Sequence, residues 1–329
     1  TVYTVDVPSN QLDKFLQLEA SRFSKIVNRL FHTELEAVYE EKNGDEDIYK
    51  IFEALYREAF PNHKYGTQTV IGTVEHLKNP SITAIKDYFN TYYRPNNVAI
   101  CISGDLDPTQ TMKTITEQFS GWESNPDLEK KPKVVEDPIT EPRITEVYGP
   151  EAEQIRIAFR FDGRSSDEYL TVRMVDYLLA NSTAGLIDLN LMQEQKLLSG
   201  SSYVDALYDF ILHSLYGNTK DGQTLDDVKY LLLGEIEKLI KGEFEDCLFI
   251  AIVSDFKKSE MYQMESNSAR ANKMVMAFTN DMSWEQMVSE MDFYESLTKQ
   301  DIVVFVNANY SDNYVAVYKR EGKDPNRQL

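Results

Sequence analysis

Cysteine is almost missing from this chain, which has only Cys101 and Cys247. Cys101 sits in the apolar run Val98-Ala99-Ile100-Cys101-Ile102, so a disulfide framework is excluded and both thiols are expected as plain core residues. No apolar run approaches the roughly eighteen residues of a membrane span, and Thr1 to Val7 does not resemble a signal peptide. Basic residues are scarce, 34 against 54 acidic ones, for a net charge of -20. That balance repels phosphate backbones and anionic membrane surfaces, which argues against a nucleic-acid partner. It would suit basic or unfolded peptides, or serve solubility alone. There is no Walker loop, no Gly-rich strand-helix fingerprint, no Gly-x-Ser-x-Gly elbow and no Cys-x-x-Cys, so those enzyme classes find no support.

What is present suffices for two domains of ordinary size, since 42% of the 329 residues are hydrophobic. Thr1 to Val7 is rich in β-branched residues and predicts a strand, followed by a helix from about Gln11. A second helix is expected near Glu34, broken near Asn43-Gly44, and another over Asp47 to Phe60. Pro61 to Gly66 reads as a loop. Ser81 can cap a helix to about Tyr93, and Asp107-Pro108 opens another, ending near Phe119. Between them Val98 to Ser103 reads as a strand. Pro126, Pro132, Pro138 and Pro142 stand among charges, marking a linker over 123–142 between a domain 1–122 and a domain 143–329. In the second domain, Gln154 to Phe161 and Tyr314 to Lys319 read as strands, and Leu170 to Asn181, Thr224 to Lys241 and Thr298 to Tyr310 as helices.

Ser81 to Asp105 and Thr298 to Gly322 align without a gap at a displacement of 217 residues. Each is a capped helix, a turn and a strand. Apolar periodicity explains some of the matches, but not Asn90 with Asn307 and Asn96 with Asn313 in one register. So large a period implies a duplicated domain. With the second copy starting near Ile144, the same displacement puts roughly seventy residues of the first copy ahead of Thr1. The first domain is therefore expected to be truncated at its N-terminus.

Glu34 and Glu41 are seven residues apart, two helical turns, so both carboxylates project from one face. By itself such a pair is an ordinary solvated helix face. The surrounding words add to it. Glu34-x-x-Ala37-Val38-x-x-Glu41, Phe60-Pro61-x-His63-x-Tyr65-Gly66, Ile71-Gly72-Thr73-x-Glu75-His76-Leu77 and Tyr92-Tyr93-x-Pro95-x-Asn97 resemble the pitrilysin/insulinase family of zinc metallopeptidases in order and spacing. Gly185-Leu186 and the closing helices and strand are similar to that family's second, non-catalytic domain. The resemblance implies an α+β protein of two duplicated domains, each a mostly antiparallel sheet covered by helices, the first truncated at its N-terminus.

It also implies a site. In that family zinc is held by two histidines of a His-x-x-Glu-His helix and by a glutamate about 75 residues later, the position Glu41 matches. Glu34 matches an upstream acid expected to orient the ligands without itself touching the metal. The motif glutamate would be the general base. The four histidines here, His32, His63, His76 and His213, do not form that motif, whose family spacing puts it about 35 residues before Thr1. His63 and His76 read as structural hydrogen-bonding residues. At the 217-residue displacement, Glu41 corresponds to Lys258, or to Ser254 if the register slips, so the second domain is expected to be non-catalytic. The resemblance thus implies a zinc endopeptidase acting on peptides or unfolded segments in the full-length protein, this chain alone being inactive and holding little zinc. A second homologous half, in the same chain or another subunit, would close a chamber around the substrate. The alternatives are an inactive scaffold subunit of the same family and an unrelated peptide-binding protein.

Overall fold

The computed structural model describes residues 1–43, 47–128 and 132–325. Helices come first in chain order: α1 (Leu12–Ser24), α2 (Phe31–Asn43), α3 (Asp47–Ala59), α4 (Lys64–Thr67), α5 (Val74–Lys78), α6 (Ile82–Tyr92) and α7 (Pro108–Gln118). Two strands, β1 (Arg143–Gly149) and β2 (Gln154–Asp162), lead to α8 (Glu168–Leu179) and to β3 (Ser199–Ala206) and β4 (Phe210–Asn218). There follow α9 (Leu225–Lys241), α10 (Asp246–Glu265), α11 (Asn267–Thr279), α12 (Trp284–Val288), α13 (Glu290–Ser296), α14 (Lys299–Asn309) and β5 (Tyr314–Glu321). The class is α+β. No helix among the described residues is long and apolar enough to cross a membrane.

The chain clusters into two units that do not follow its order. One comprises Thr1–Asn43, Ile71–Pro132 and Glu260–Met287, the other Gly44–Val70, Lys133–Ser259 and Val288–Leu329.

In the first unit, α1 packs on α7 and α2 on α5. Leu16 is buried, and Thr114 on α7 donates to Asp13 on α1 at 3.5 Å. An aromatic cluster joins the ends of the unit, with Phe23 within 5.4 Å of Tyr3 and 6.0 Å of both Tyr93 and Trp122, ring centre to ring centre. Arg22 lies over the Tyr3 ring at 4.7 Å. Capping fixes the helix starts as expected, Ser81 accepting from Ala84 N–H and Asp107 from Gln110 N–H. The strands expected at Thr1 to Val7 and Val98 to Ser103 do not form. A strand is stable only where a neighbour supplies its ladder of hydrogen bonds, and the described residues of this unit contain no strand. Ser103 instead turns to α11, accepting from Arg270 Nε at 2.9 Å.

The second unit carries a five-stranded sheet ordered β1-β5-β2-β4-β3, antiparallel except for the β1–β5 pair. Alternation along each strand divides its residues between two layers. On one face Ile155, Ile157, Phe159 and Phe161 of β2, Ile211 and Leu215 of β4 and Ala316 and Tyr318 of β5 join Val172, Met174 and Val175 of α8, Val228 and Leu232 of α9 and Ile302 and Val306 of α14 in the larger core. On the other face Ala158, Leu212, Val315 and Val317 meet Ile51, Ala54, Leu55 and Ala59 of α3. The expected helix over 47–60 thus forms, but its 3-4 apolar stripe is buried against strands that begin more than eighty residues later. Gly66 lets the turn after α3 close, since a Cβ there would lie 2.2 Å from the Phe60 carbonyl oxygen.

The helices at Ile82–Tyr92 and Lys299–Asn309 share both bounds at the 217-residue displacement. The segments after them differ, β5 lying between β1 and β2 whereas 98–103 has no ladder. The cysteine expectation needs correction: Cys247 is exposed and Cys101 half-buried, because α10 turns Cys247 outward and the segment around Cys101 never enters a sheet.

Candidate functional site

Glu34 and Glu41 lie on α2 of the first unit. The helix starts three residues earlier than its acidic turn suggests, after Leu30 in a left-handed conformation (φ 56°), and Glu34 N–H donates to Leu30 C=O at 3.0 Å. Two helical turns separate the carboxylates by about 10 Å along the axis, and both side chains are exposed. Val38, half-buried, lies between the two carboxylates on the same face, while half-buried Tyr39 turns away from them and has Lys78 of α5 5.8 Å above its ring. The expected break at Asn43-Gly44 extends outside the described residues.

The histidines are dispersed. His32 packs edge-on to Phe31 at 5.5 Å. His76 lies in α5, its N–H bonded to the Thr73 hydroxyl that caps the helix, and lines a shallow depression of about 450 Å³ with Asn79, Pro80 and Tyr88.

His63 and His213 belong to the second unit and are structural. His63, 6% exposed, caps α4 by accepting Tyr65 N–H on Nδ1 at 3.1 Å, while Nε2 meets Asp209 Oδ2 at 3.1 Å. His213, fully buried, has Nδ1 2.6 Å from the Tyr310 hydroxyl and Nε2 3.3 Å from Asp176 Oδ1. Burial pushes the Tyr310 phenol well above its ordinary range, with the Asp176 and Glu168 charges adding to it.

These partners went unseen in the sequence. Asp209 stands 146 residues from His63, and one Asp among many acidic residues carries no spacing signal. The same holds for Asp47, buried against Lys319 in the second unit. Burial works to raise the Asp47 carboxyl, but hydrogen bonds from Lys319 and the Glu151 N–H outweigh it and hold the group below the usual range. The Cys101 thiol is pushed up by burial, the opposite of what an activated thiolate requires.

Zinc asks for at least three protein ligands in tetrahedral reach. Among the described residues no group of three or more His, Cys, Asp or Glu could hold a metal ion. The residues present therefore do not fit a zinc site, and Glu41 supplies at most one carboxylate to one.

The family model described as the peptidase M16 inactive domain matches residues 81–254. The zinc protease PqqE of Helicobacter pylori is 21% identical over 288 residues, which make up 85% of this chain and 61% of that protein. The chain thus spans about three fifths of the length of this curated relative. A crystal structure of a protease from Helicobacter pylori superposes with a TM-score of 0.88 at 18% identity, covering 95% of this chain and 78% of that one. The periplasmic protease PqqL of Escherichia coli gives 0.75 at 12% identity over 95% of this chain and 37% of that one. A peptidase M16 inactive domain from Pseudomonas fluorescens gives 0.77 at 15% identity, covering 97% and 77%. The family match takes in more than half of the sequence and includes α6, α7 and the strands β1 to β4, so the chain belongs to the pitrilysin-like peptidase M16 family.

Proposed function

We propose that this chain is part of an M16 zinc endopeptidase that cleaves peptides or unfolded segments, and that in the full-length protein Glu41 is a metal ligand with Glu34 orienting the site from behind it. The observation that carries the reading is α2, which presents the two carboxylates two turns apart on exposed positions, within a chain of this family. The remaining ligands and the general base belong to polypeptide outside this sequence, and no catalytic step runs through residues of this chain alone.

In this reading residues 1–122 and 143–329 are duplicated domains joined by 123–142, supported by the equal helix bounds at Ile82–Tyr92 and Lys299–Asn309. The second domain is non-catalytic. Lys258 and Ser254, the positions corresponding to Glu41, lie on α10, and neither suits zinc. A second homologous half would face the substrate from the other side. The relatives named as proteases support a polypeptide substrate.

The experiment is zinc content and peptide hydrolysis of the full-length protein with Glu41→Gln and Glu34→Gln. Glu41→Gln should lose metal and turnover together, and Glu34→Gln should lose turnover with less loss of metal. A second reading, an inactive scaffold subunit, is favoured by the inactive-domain match and the lack of a three-ligand group among the described residues. It takes over if the full-length wild type binds no zinc.

A further inference from the structure

The two units exchange corresponding pieces of the chain. Residues 44–70 belong to the second unit and 260–287 to the first, and at the 217-residue displacement 44–70 corresponds to 261–287. In the second unit the exchanged piece supplies α3, which covers one face of the sheet. In the first it supplies α11, to which Ser103 is bonded, accepting from Arg270 Nε at 2.9 Å and donating to Asn267 Oδ1 at 3.3 Å. The first unit thus holds counterparts of helices from both layers that enclose the sheet of the second, α6 for α14 and α11 for α3.

Corresponding positions are nevertheless buried differently. Ile302, Val306 and Tyr310 are at most 2% exposed, and Val315, Ala316 and Val317 of β5 are fully buried. In the first unit Ile85, Phe89, Tyr93 and Val98 are only half-buried, Ala99 is exposed and Ile100 is 43% exposed. Ile85 and Tyr88 line the shallow depression of about 450 Å³ beside His76. What buries β5 is its place in the sheet, where β2 lies between β4 and β5 and runs antiparallel to both. The outer two of these three strands have counterparts in the first unit. Residues 98–103 follow α6 as β5 follows α14, and residues 1–7 precede α1 as β4 precedes α9. One side-chain pair supports the match: the Tyr310 hydroxyl meets His213 of β4 at 2.6 Å, and the hydroxyls of Tyr93 and Tyr3 meet at 2.7 Å.

We infer that the first unit is an acceptor for a β-strand from a part of the full-length protein outside this sequence, which inserts between residues 1–7 and 98–103 and runs antiparallel to both. The position of this strand rests on the domain duplication proposed above. It supplies the ladder that both segments, rich in β-branched residues, require. Its side chains alternate, with apolar ones on the α6 side, as Ile155, Ile157 and Phe159 of β2 lie in the core with Ile302 and Val306 of α14. A second copy of this chain does not fit. An inserted strand bonds along both edges, and each of β1 to β5 already gives at least one edge to the sheet of the second unit.

Amide hydrogen exchange, compared between the 329-residue chain and the full-length protein at one pH, tests this. Amides of 98–103 should exchange more slowly in the full-length protein by about a hundredfold or more, and near the intrinsic rate in the shorter chain at every concentration. Equal rates in the two proteins overturn the inference. So does protection that appears in the shorter chain as its concentration rises, which makes a second copy the donor. Ile100→Asp adds a second measurement, because Ile100 is exposed in the shorter chain whereas its counterpart Val317 is fully buried. It should leave the urea midpoint of the shorter chain unchanged and lower that of the full-length protein. Equal midpoint shifts in the two overturn the inference as well, and a full-length variant that fails to fold beside a folded shorter one counts as the expected loss. Zinc content is read on the same samples: slow exchange at 98–103 in a full-length protein without zinc keeps the strand and sinks the metal proposal.

Discussion

Asp47 and Lys319, each 1% exposed, meet at 2.7 Å in the second unit and join the first turn of α3 to the last strand of the sheet. Their charges are fully accounted for. Lys319 also donates to the carbonyls of Glu151 and Ala152, and Asp47 accepts the Glu151 N–H. Removing either partner leaves an uncompensated buried charge.

Asp47→Asn or Lys319→Met should therefore destabilise the second unit by about 3–5 kcal/mol. The double variant Asp47→Leu/Lys319→Met should cost less than the sum of the single changes, because it leaves no unpaired buried charge, only the Glu151 and Ala152 backbone groups without their partners. Urea denaturation followed by circular dichroism reads both. Single variants within ~0.5 kcal/mol of the wild type would show that the pair carries no such weight.

The same pair predicts an acid limb. The folded carboxyl of Asp47 is held below its ordinary value, so the stability it supplies is complete above the unfolded value of about 3.9 and fades as pH falls through the folded one. Urea midpoints measured from about pH 5 downward should fall less steeply in Asp47→Asn than in the wild type. Parallel curves for the two proteins would contradict the assignment.

Gly149 faces this carboxylate so closely that a Cβ would lie 1.6 Å from Asp47 Oδ1. Gly149→Ala should displace the Asp47 side chain and cost about 1–3 kcal/mol. Combined with Asp47→Asn, it should cost less than the sum of the single changes, since both act on one contact. Strict additivity in a double-mutant cycle would rule out that coupling.

The capping boxes of α9 and α14 offer a smaller test. Thr224 and Thr298 each accept the N–H of an Asp three residues on, and that Asp bonds back. Alanine at either position should cost about 1 kcal/mol in urea titration. Values near zero at both would mean that the helix starts are fixed by packing alone.

What the sequence disclosed and what it hid follow one division. Signals confined to a few residues are legible: Ser81, Asp107-Pro108 and Thr298 place the helix starts within a residue, and the alternation of β2 sorts its side chains between two layers. Distant pairings are not. The stripe Ile51, Ala54, Leu55, Ala59 announces an amphipathic helix, yet nothing in it says that the helix covers Val315 and Val317. Val98 to Ser103 has strand composition and forms none, because strand propensity is realised only against a partner. For the candidate site, the seven-residue spacing put Glu34 and Glu41 on one helix, and the helix exists. His63 was legible as structural, while its contact with Asp209, across 146 residues, was beyond any local pattern.

Glu41 is proposed above as a zinc ligand in the full-length protein. The direct measurement is zinc per protein molecule after dialysis, by elemental mass spectrometry, in the full-length wild type and its Glu41→Gln variant. The wild type should hold close to one zinc and the variant a small fraction of that. Equal zinc in the two proteins would contradict it.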